Sequence, residues 1–173
     1  MKLGTIIKTK LTTKLISTSF NQLHETDIES ILLIERQSSN NPWTQTQLLE
    51  SLKNPVNLGY SLIYKSEIIG YLIAMPVIES ADILNIAINS SYQRKGFGKA
   101  LIEHLVQALK KRGVSEVLLE VRQSNFSAIQ FYLAMDFKEI SIRKNYYTKN
   151  SNEPSVKEDG IIMRLEISTT NNT

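Results

Sequence analysis

The sequence predicts a mixed α/β fold, on three observations. Apolar runs at Leu58 to Tyr64, Ile68 to Val77 and Ala81 to Ile88 read as strands separated by short polar turns. Leu101, Leu105, Ala108 and Leu109 then recur at helical spacing. Val117-Leu118-Leu119 is a short continuous apolar run, as in a strand covered on both faces. Helices and strands therefore alternate late in the chain.

The elements follow in order. Lys14 to Thr18 reads as a short first strand. Glu25 to Arg36 is a helix with Ile28, Ile31, Leu32 and Ile34 on its apolar face, broken by Asn40, Asn41 and Pro42. Thr44 to Leu52 is a second helix, with Thr44 and Gln47 spaced as a capping box. The first strand pair turns at Lys65 and Ser66. Gly98 to Arg112 is the third helix, with Lys110, Lys111 and Arg112 at its negative end and Gly113 as its C-terminal cap. Ser127 to Met135 is a fourth, short helix. Phe137 to Lys144 and Gly160 to Ile167 are closing strands, joined by a polar loop from Asn145 to Asp159.

The 173 residues fit one domain, read as 14–167, between a basic extension 1–13 and a loose polar tail 168–173. The absence of cysteine excludes disulfides, thiolate zinc sites and a cysteine nucleophile. Two histidines far apart, His24 and His104, make no metal set, so no metal is expected. No run of about 18 apolar residues exists, and the start lacks a signal peptide's apolar stretch, so a soluble cytoplasmic protein without a membrane role is expected. A net charge of +3 suits an anionic ligand or a partner near RNA, although many solvated surfaces are mildly basic.

The most informative stretch is a strand, a polar turn, and Gln93-Arg94-Lys95-Gly96-Phe97-Gly98-Lys99 opening a helix. The first amides of a helix lack internal partners, and the helix dipole adds positive charge there. Glycines let the backbone approach a ligand, and Arg94, Lys95 and Lys99 add full charges. Together these make a pyrophosphate cradle. A Walker A loop is excluded, because Ala100 follows Lys99 and the glycine spacing is wrong. A dinucleotide fingerprint would use Glu120 as its distant acid, but Leu101 stands at the third glycine position. The bland alternative is a glycine-rich helix start with solvated cations.

Gln93-Arg94-x-Gly96-x-Gly98 resembles the acetyl-CoA signature of the GNAT superfamily. Asn85 to Ile88, Tyr92 to Lys99, Leu119-Glu120-Val121-Arg122, Ser124-Asn125, Ala128-Ile129, Tyr132, Arg143 to Tyr147 and Asp159 to Met163 follow in that family's order. The set is similar to the bacterial ribosomal-protein alanine acetyltransferases (RimI type), over about Leu15 to Ile167. The resemblance implies a GNAT fold, with a mixed sheet of about seven strands splayed in the middle and about four flanking helices. It implies acetyl transfer from acetyl-CoA to the N-terminal alanine of the eighteenth small-subunit ribosomal protein. The partner is then a protein N-terminus, with no direct nucleic-acid binding.

By the same resemblance, backbone groups of Ile86, Ala87 and Ile88 hold the pantetheine arm. Amides of Arg94, Lys95, Gly96, Phe97, Gly98 and Lys99 take the pyrophosphate, and Asn125 bonds the cofactor further on. The strand amide near Ile88 is an expected oxyanion donor. Aminolysis of a thioester needs a base for the amine, a donor for the oxyanion and an acid for the thiolate. Glu120 matches the family's base and Tyr132 its acid. The residues agree: Glu120 sits at the carboxyl end of an apolar strand, where an acid is costly unless paired or useful. Alternatively, Glu120 pairs with Arg122 on the same strand face, and Tyr132 is a core aromatic. Trp43, Tyr146 and Tyr147 match substrate-groove positions; Trp43 is otherwise a core anchor. Glu35 is read as a solvated helix-face residue, or as a contact for a cationic substrate residue.

Other acceptors stay open: a lysine, a polyamine or a small-molecule amine. So does a non-catalytic acyl-CoA-binding module. One departure stands out. Relatives end the short helix with Leu-Gly-Phe, where this chain has Met135-Asp136-Phe137, so Asp136 is expected in the left-handed region.

Overall fold

The computed structural model describes residues 6–7, 18–39, 41–150 and 153–167. The expected strand Lys14 to Thr18 lies outside these residues except for Thr18, as do most of the extension 1–13 and the whole tail 168–173. The described residues hold eight strands and four α-helices. One strand is only the two-residue β1 (Ile6–Ile7), so the expected seven strands and four helices hold for the longer elements.

The chain divides into two compact units, Met1–Pro76 with Leu84–Ala108, and Val77–Ile83 with Leu109–Thr173. The first unit contains β1, β2 (Thr18–Gln22), α1 (Ile28–Ser38), α2 (Gln45–Lys53), β3 (Leu58–Tyr64) and most of β4 (Glu67–Val77). It also holds the second half of β5 (Ser80–Ile88) and nearly all of α3 (Phe97–Lys110). Its strand order is β1-β2-β3-β4-β5. Leu23, Ile31, Leu32, Ile34, Leu48, Tyr71, Ile73 and Ala87 form its buried cluster. The apolar face read for α1 therefore meets the sheet, as period 3.6 requires. A 3-10 turn, Glu25–Asp27, precedes α1. The capping box of α2 forms as read: Thr44 N donates to Gln47 Oε1 at 2.9 Å, and Gln47 N donates to Thr44 Oγ1 at 3.3 Å. Gly70 is needed where β4 passes β5, since a Cβ there would lie 3.0 Å from the Ala87 carbonyl oxygen.

The second unit is built from the start of β5, β6 (Glu116–Arg122), α4 (Phe126–Leu133), β7 (Lys138–Asn150) and β8 (Glu153–Glu166). Its order is β5-β6-β8-β7. β5 and β6 run parallel from Ser80–Glu116 to Ile83–Leu119, and the other ladders are antiparallel. In β6 the residues alternate: Val117, Leu119 and Val121 are buried, while Leu118, Glu120 and Arg122 share a half-buried face. The expected cover on both faces is therefore complete on one face and partial on the other.

A larger correction concerns the end of the chain. The segment Asn145 to Asp159, read as a polar loop, mostly extends two long paired strands. Its polar composition reads as loop because the stabilising partners are cross-strand. Lys157 Nζ donates to Thr148 Oγ1 at 2.8 Å, and Lys144 Nζ donates to Asp159 Oδ2 at 2.7 Å. The ladder shifts register between Arg143–Gly160 and Tyr147–Glu158. Asn145 takes φ 53° at this bulge, and its amide donates to Asp159 Oδ1 at 2.9 Å.

Helix ends follow the turn chemistry of the sequence. Gly113 takes φ 75°; its amide donates to Lys110 O at 3.1 Å and that of Val114 to Leu109 O at 3.2 Å, a Schellman motif closing α3. Asp136 takes φ 65° in the same role for α4, its amide donating to Leu133 O at 3.1 Å and that of Phe137 to Tyr132 O at 3.0 Å. An L-residue there carries a cost that glycine avoids. Asp136→Gly is therefore expected to raise the melting temperature by about 1–3 °C, read by thermal denaturation, because relief of that strain exceeds the entropy glycine adds to the unfolded chain. A lowered melting temperature would refute this.

Candidate active site

The signature turn lies in the first unit. After β5, Asn89 Oδ1 accepts from Ser91 N at 3.0 Å and opens a short 3-10 turn, Ser90–Tyr92. Gln93 Nε2 donates to Ile88 O at 3.0 Å, so the first residue of the signature is tied back to the end of β5. Arg94 takes φ 59° and Gly96 φ 86°, after which α3 begins at Phe97. Left-handed backbone at a non-glycine residue is a strain that clusters at ligand sites. Phe97 is the buried anchor of the turn, with its ring 5.5 Å from Tyr64 and 6.2 Å from Tyr92. Arg94, Lys95 and Lys99 are exposed around it. Lys95 Nζ donates to Ser91 O at 2.7 Å, and Lys99 lies 3.7 Å from Glu103, a weak surface pair. Of the strand residues expected to hold a ligand's arm, Ala87 is buried and Ile86 and Ile88 are half-buried.

Glu35 overturns its expectation. It is only 2% exposed on α1, not solvated, and its carboxylate is filled from within the unit. Trp43 N donates to Oε2 at 2.6 Å, and Asn85 Nδ2 to Oε1 at 3.1 Å. The Tyr71 hydroxyl donates to Oε1. Burial, reinforced by this carboxylate, holds the Tyr71 phenol far above the usual range. The network joins α1, the segment before α2, β4 and β5. It explains why an acid can stand in so apolar a setting. Trp43 packs half-buried against the same core, as the anchor alternative requires.

In the second unit, Glu120 projects from the half-buried face of β6, with its side chain 20% exposed. Three groups surround it. Arg143 Nη1, from β7, donates to Glu120 Oε2 at 2.8 Å. The Tyr147 hydroxyl is hydrogen-bonded to the same carboxylate. Gly160 on β8 leaves the space: a Cβ there would lie 3.0 Å from Glu120 Oε1 and 3.2 Å from Tyr147 Cε2. Burial, then the hydrogen bond to Glu120, pushes the Tyr147 phenol well above its ordinary value. The Arg143 guanidinium is raised chiefly by its hydrogen bond to Glu120 and lies 3.8 Å from the Tyr146 ring centroid. The Tyr146 and Tyr147 rings meet edge-on, 5.0 Å apart.

Arg122 does not pair with Glu120. Its Nη1 donates to Glu158 Oε1 at 2.8 Å and to Thr148 O at 3.0 Å, and its guanidinium covers the Tyr147 ring at 4.2 Å. Burial alone would raise the Glu158 carboxyl; hydrogen bonds from Ser124 and Arg122 outweigh it and hold it below the usual range. The bulge in β7 thus sets Tyr147 beside the carboxylate and Tyr146 against Arg143, and Arg122 covers the Tyr147 ring.

Tyr132 is buried on α4, with its ring 5.2 Å from Phe131 and 5.6 Å from Phe137. Burial pushes its phenol up to about 12, so it stays protonated at neutral pH. Asn125 caps α4, its Oδ1 accepting from Ala128 N at 3.2 Å. Among the described residues, no group of three or more His, Asp or Glu is arranged to hold a metal ion, and no helix is long and apolar enough to cross a membrane.

The sequence reading did not assign roles to Arg143, Gly160 or the Arg122–Glu158 pair. All three act across strands, at separations that period and propensity do not register. The continuity of the polar pattern through residues 143 to 160 was the available signal.

Known proteins resemble this chain over nearly its whole length. The alanine N-acetyltransferase of ribosomal protein bS18 from Escherichia coli K12 is 37% identical over 150 residues, covering 87% of this chain and 98% of that protein. The crystal structure of the ribosomal-protein-S18-alanine N-acetyltransferase from Escherichia coli superposes with a TM-score of 0.80 at 35% identity, covering 90% of this chain and 97% of that one. Arabidopsis thaliana NAA60 in complex with acetyl-CoA shares the fold, with a TM-score of 0.75 at 19% identity over 87% of this chain and 98% of that one. The profile of the acetyltransferase (GNAT) family matches residues 20–137, and with these likenesses it shows that the chain belongs to the acetyltransferase (GNAT) family.

Proposed function

We propose that this chain transfers an acetyl group from acetyl-CoA to the N-terminal α-amine of a protein, the acceptor being the alanine terminus of ribosomal protein bS18 in the cytoplasm. The observation that carries the reading is the Glu120 carboxylate, held by Arg143 and Tyr147 yet still 20% exposed. A general base needs a fixed position and access to the proton it takes. The activity named for the 37% identical Escherichia coli enzyme supports the choice of acceptor.

The turn at Arg94–Lys99 suits a diphosphate. Its left-handed residues, Arg94 and Gly96, expose backbone ahead of a helix N-terminus, with the exposed side chains of Arg94, Lys95 and Lys99 adding positive charge around it. Ile86, Ala87 and Ile88 offer strand backbone for the pantetheine arm, and Asn125, whose Oδ1 caps α4, carries an NH2 as a further donor. Bound there, acetyl-CoA supplies the activated acyl carbon. Glu120 takes the proton from the amine as the new N–C bond forms. Tyr132, kept protonated by burial, returns a proton to the thiolate as the C–S bond breaks. Tyr146 and Tyr147 line the acceptor's approach to Glu120, and the match of Trp43 to the family's groove position assigns it to acceptor binding. An α-amine, with a pKa near 8, is about one-tenth neutral at pH 7, so the demand on Glu120 is modest.

The direct test is mass spectrometry of alanine-led bS18 peptides incubated with the protein and acetyl-CoA. A mass gain of one acetyl on the free N-terminus, absent from N-terminally blocked peptides, is expected; acetylation only at lysine would overturn the acceptor. Glu120→Gln should retain acetyl-CoA affinity by calorimetry and lose about 10²-fold or more in turnover; near-normal turnover removes Glu120 as base.

Tyr132→Phe should also slow turnover, by about 10²-fold. It should change alkaline stability as well. The phenol's folded pKa is raised from 10.0 to about 12, so its stabilising contribution is complete below pH 10 and is lost as pH rises through about 12. The phenylalanine variant should therefore lose less stability over that window in denaturant titrations. Gly160→Ala should keep the fold by circular dichroism and lower kcat, because the added methyl crowds both Glu120 and Tyr147. Unchanged kcat would mean that the close packing at Gly160 does not set the geometry of Glu120 and Tyr147.

A further inference from the structure

The hairpin around Glu120 contains more charge than a general base requires. Glu120 faces Arg143 at 2.8 Å, Glu158 faces Arg122 at 2.8 Å, and Asp159 faces Lys144 at 2.7 Å. Three acids meet three cations, so the cluster has no net charge. Arg122 and Lys144 have partners of their own, which leaves Arg143 as the cation on Glu120 itself. Arg143 is 49% exposed, and its guanidinium stacks on Tyr146, which fixes it there without burying it.

An amine acceptor arrives at this carboxylate in one of two forms. An α-amine has a pKa near 8 and a lysine side chain one near 10.4, so at neutral pH about one-tenth of the first is uncharged and less than about one-thousandth of the second. An unaccompanied Glu120 would attract the ammonium form of either. With Arg143 on Oε2, an incoming cation meets a guanidinium beside the carboxylate, while an uncharged amine pays no such penalty.

Resting on the acetyl-transfer reading above, we propose that Arg143 is an acceptor-selecting residue: its guanidinium, hydrogen-bonded to Glu120 and stacked on Tyr146, makes the approach to the base electrically neutral and so favours α-amines over lysine side chains. It acts through Glu120, as a positioning and selecting group. Tyr147, clamped between Glu120 and Arg122, keeps the carboxylate in register while Arg143 sets the local charge.

The test compares kcat/KM for two peptides, one alanine-led with a free N-terminus and no lysine, the other N-terminally blocked with a single lysine. Wild type should prefer the first. Arg143→Gln should lower the ratio of first to second by about 10-fold, a figure discounted for solvent screening at a half-exposed site. The change should include a lower KM for the lysine peptide. Arg143→Lys restores the charge and should recover most of the ratio. Added salt should reduce the ratio of wild type more than that of Arg143→Gln. A general structural defect would lower both rates together and leave the ratio alone. That result, with wild type still acetylating the α-amine, overturns selection by Arg143 and leaves the acetyl-transfer reading standing. A wild-type preference for the lysine peptide overturns both.

Discussion

A single carboxylate organises the second half of this chain. Glu120 interrupts the apolar run Val117 to Val121 of β6, and an acid there is tolerated only if its charge is met. Arg143 and Tyr147 meet it from β7, and Gly160 on β8 gives it room. Each condition depends on the register of one hairpin. The bulge at residues 144 and 145 breaks the alternation of β7, and the Asp159 carboxylate pins that bulge through Lys144 and the Asn145 amide. Without the two extra residues, Asn145 rather than Tyr147 would stand opposite Glu158. The hairpin is therefore the device that holds a strand acid in a fixed position while leaving it partly open to solvent.

The first unit handles its own acid in the opposite way. Glu35 receives three donors and is 2% exposed, so both of its oxygens are spent on structure. It anchors the segment before α2 to β4 and β5. A buried, saturated carboxylate rigidifies; a partly open one with two partners remains able to take a proton. The contrast separates the structural acid from the candidate catalytic one more sharply than residue type could.

Local chemistry was legible in the sequence. The Thr44–Gln47 capping box, the Gly113 cap, the left-handed Asp136 and the strand pair around Lys65 and Ser66 all depend on residues within a few positions of one another. The glycine-bearing turn before α3 was legible for the same reason, and with it the family. Long-range pairing was not. Arg143 lies 23 residues from Glu120, and Glu158 lies 36 from Arg122. No period connects such positions. The stretch from Asn145 to Asp159 looked like a loop because its stabilising contacts are polar and cross-strand. Glu35 looked solvated because one acid on a helix usually is. Only the fold shows three donors converging on it.

The most direct measurement is a crystal structure of this protein with a bisubstrate analogue, coenzyme A joined to an alanine-led peptide. The account predicts the peptide's first nitrogen within hydrogen-bond reach of Glu120, directly or through one water, with the diphosphate on the amides of Arg94 to Lys99. A nitrogen that bypasses Glu120, with the carboxylate still closed by Arg143 and another group at the amine, would contradict it.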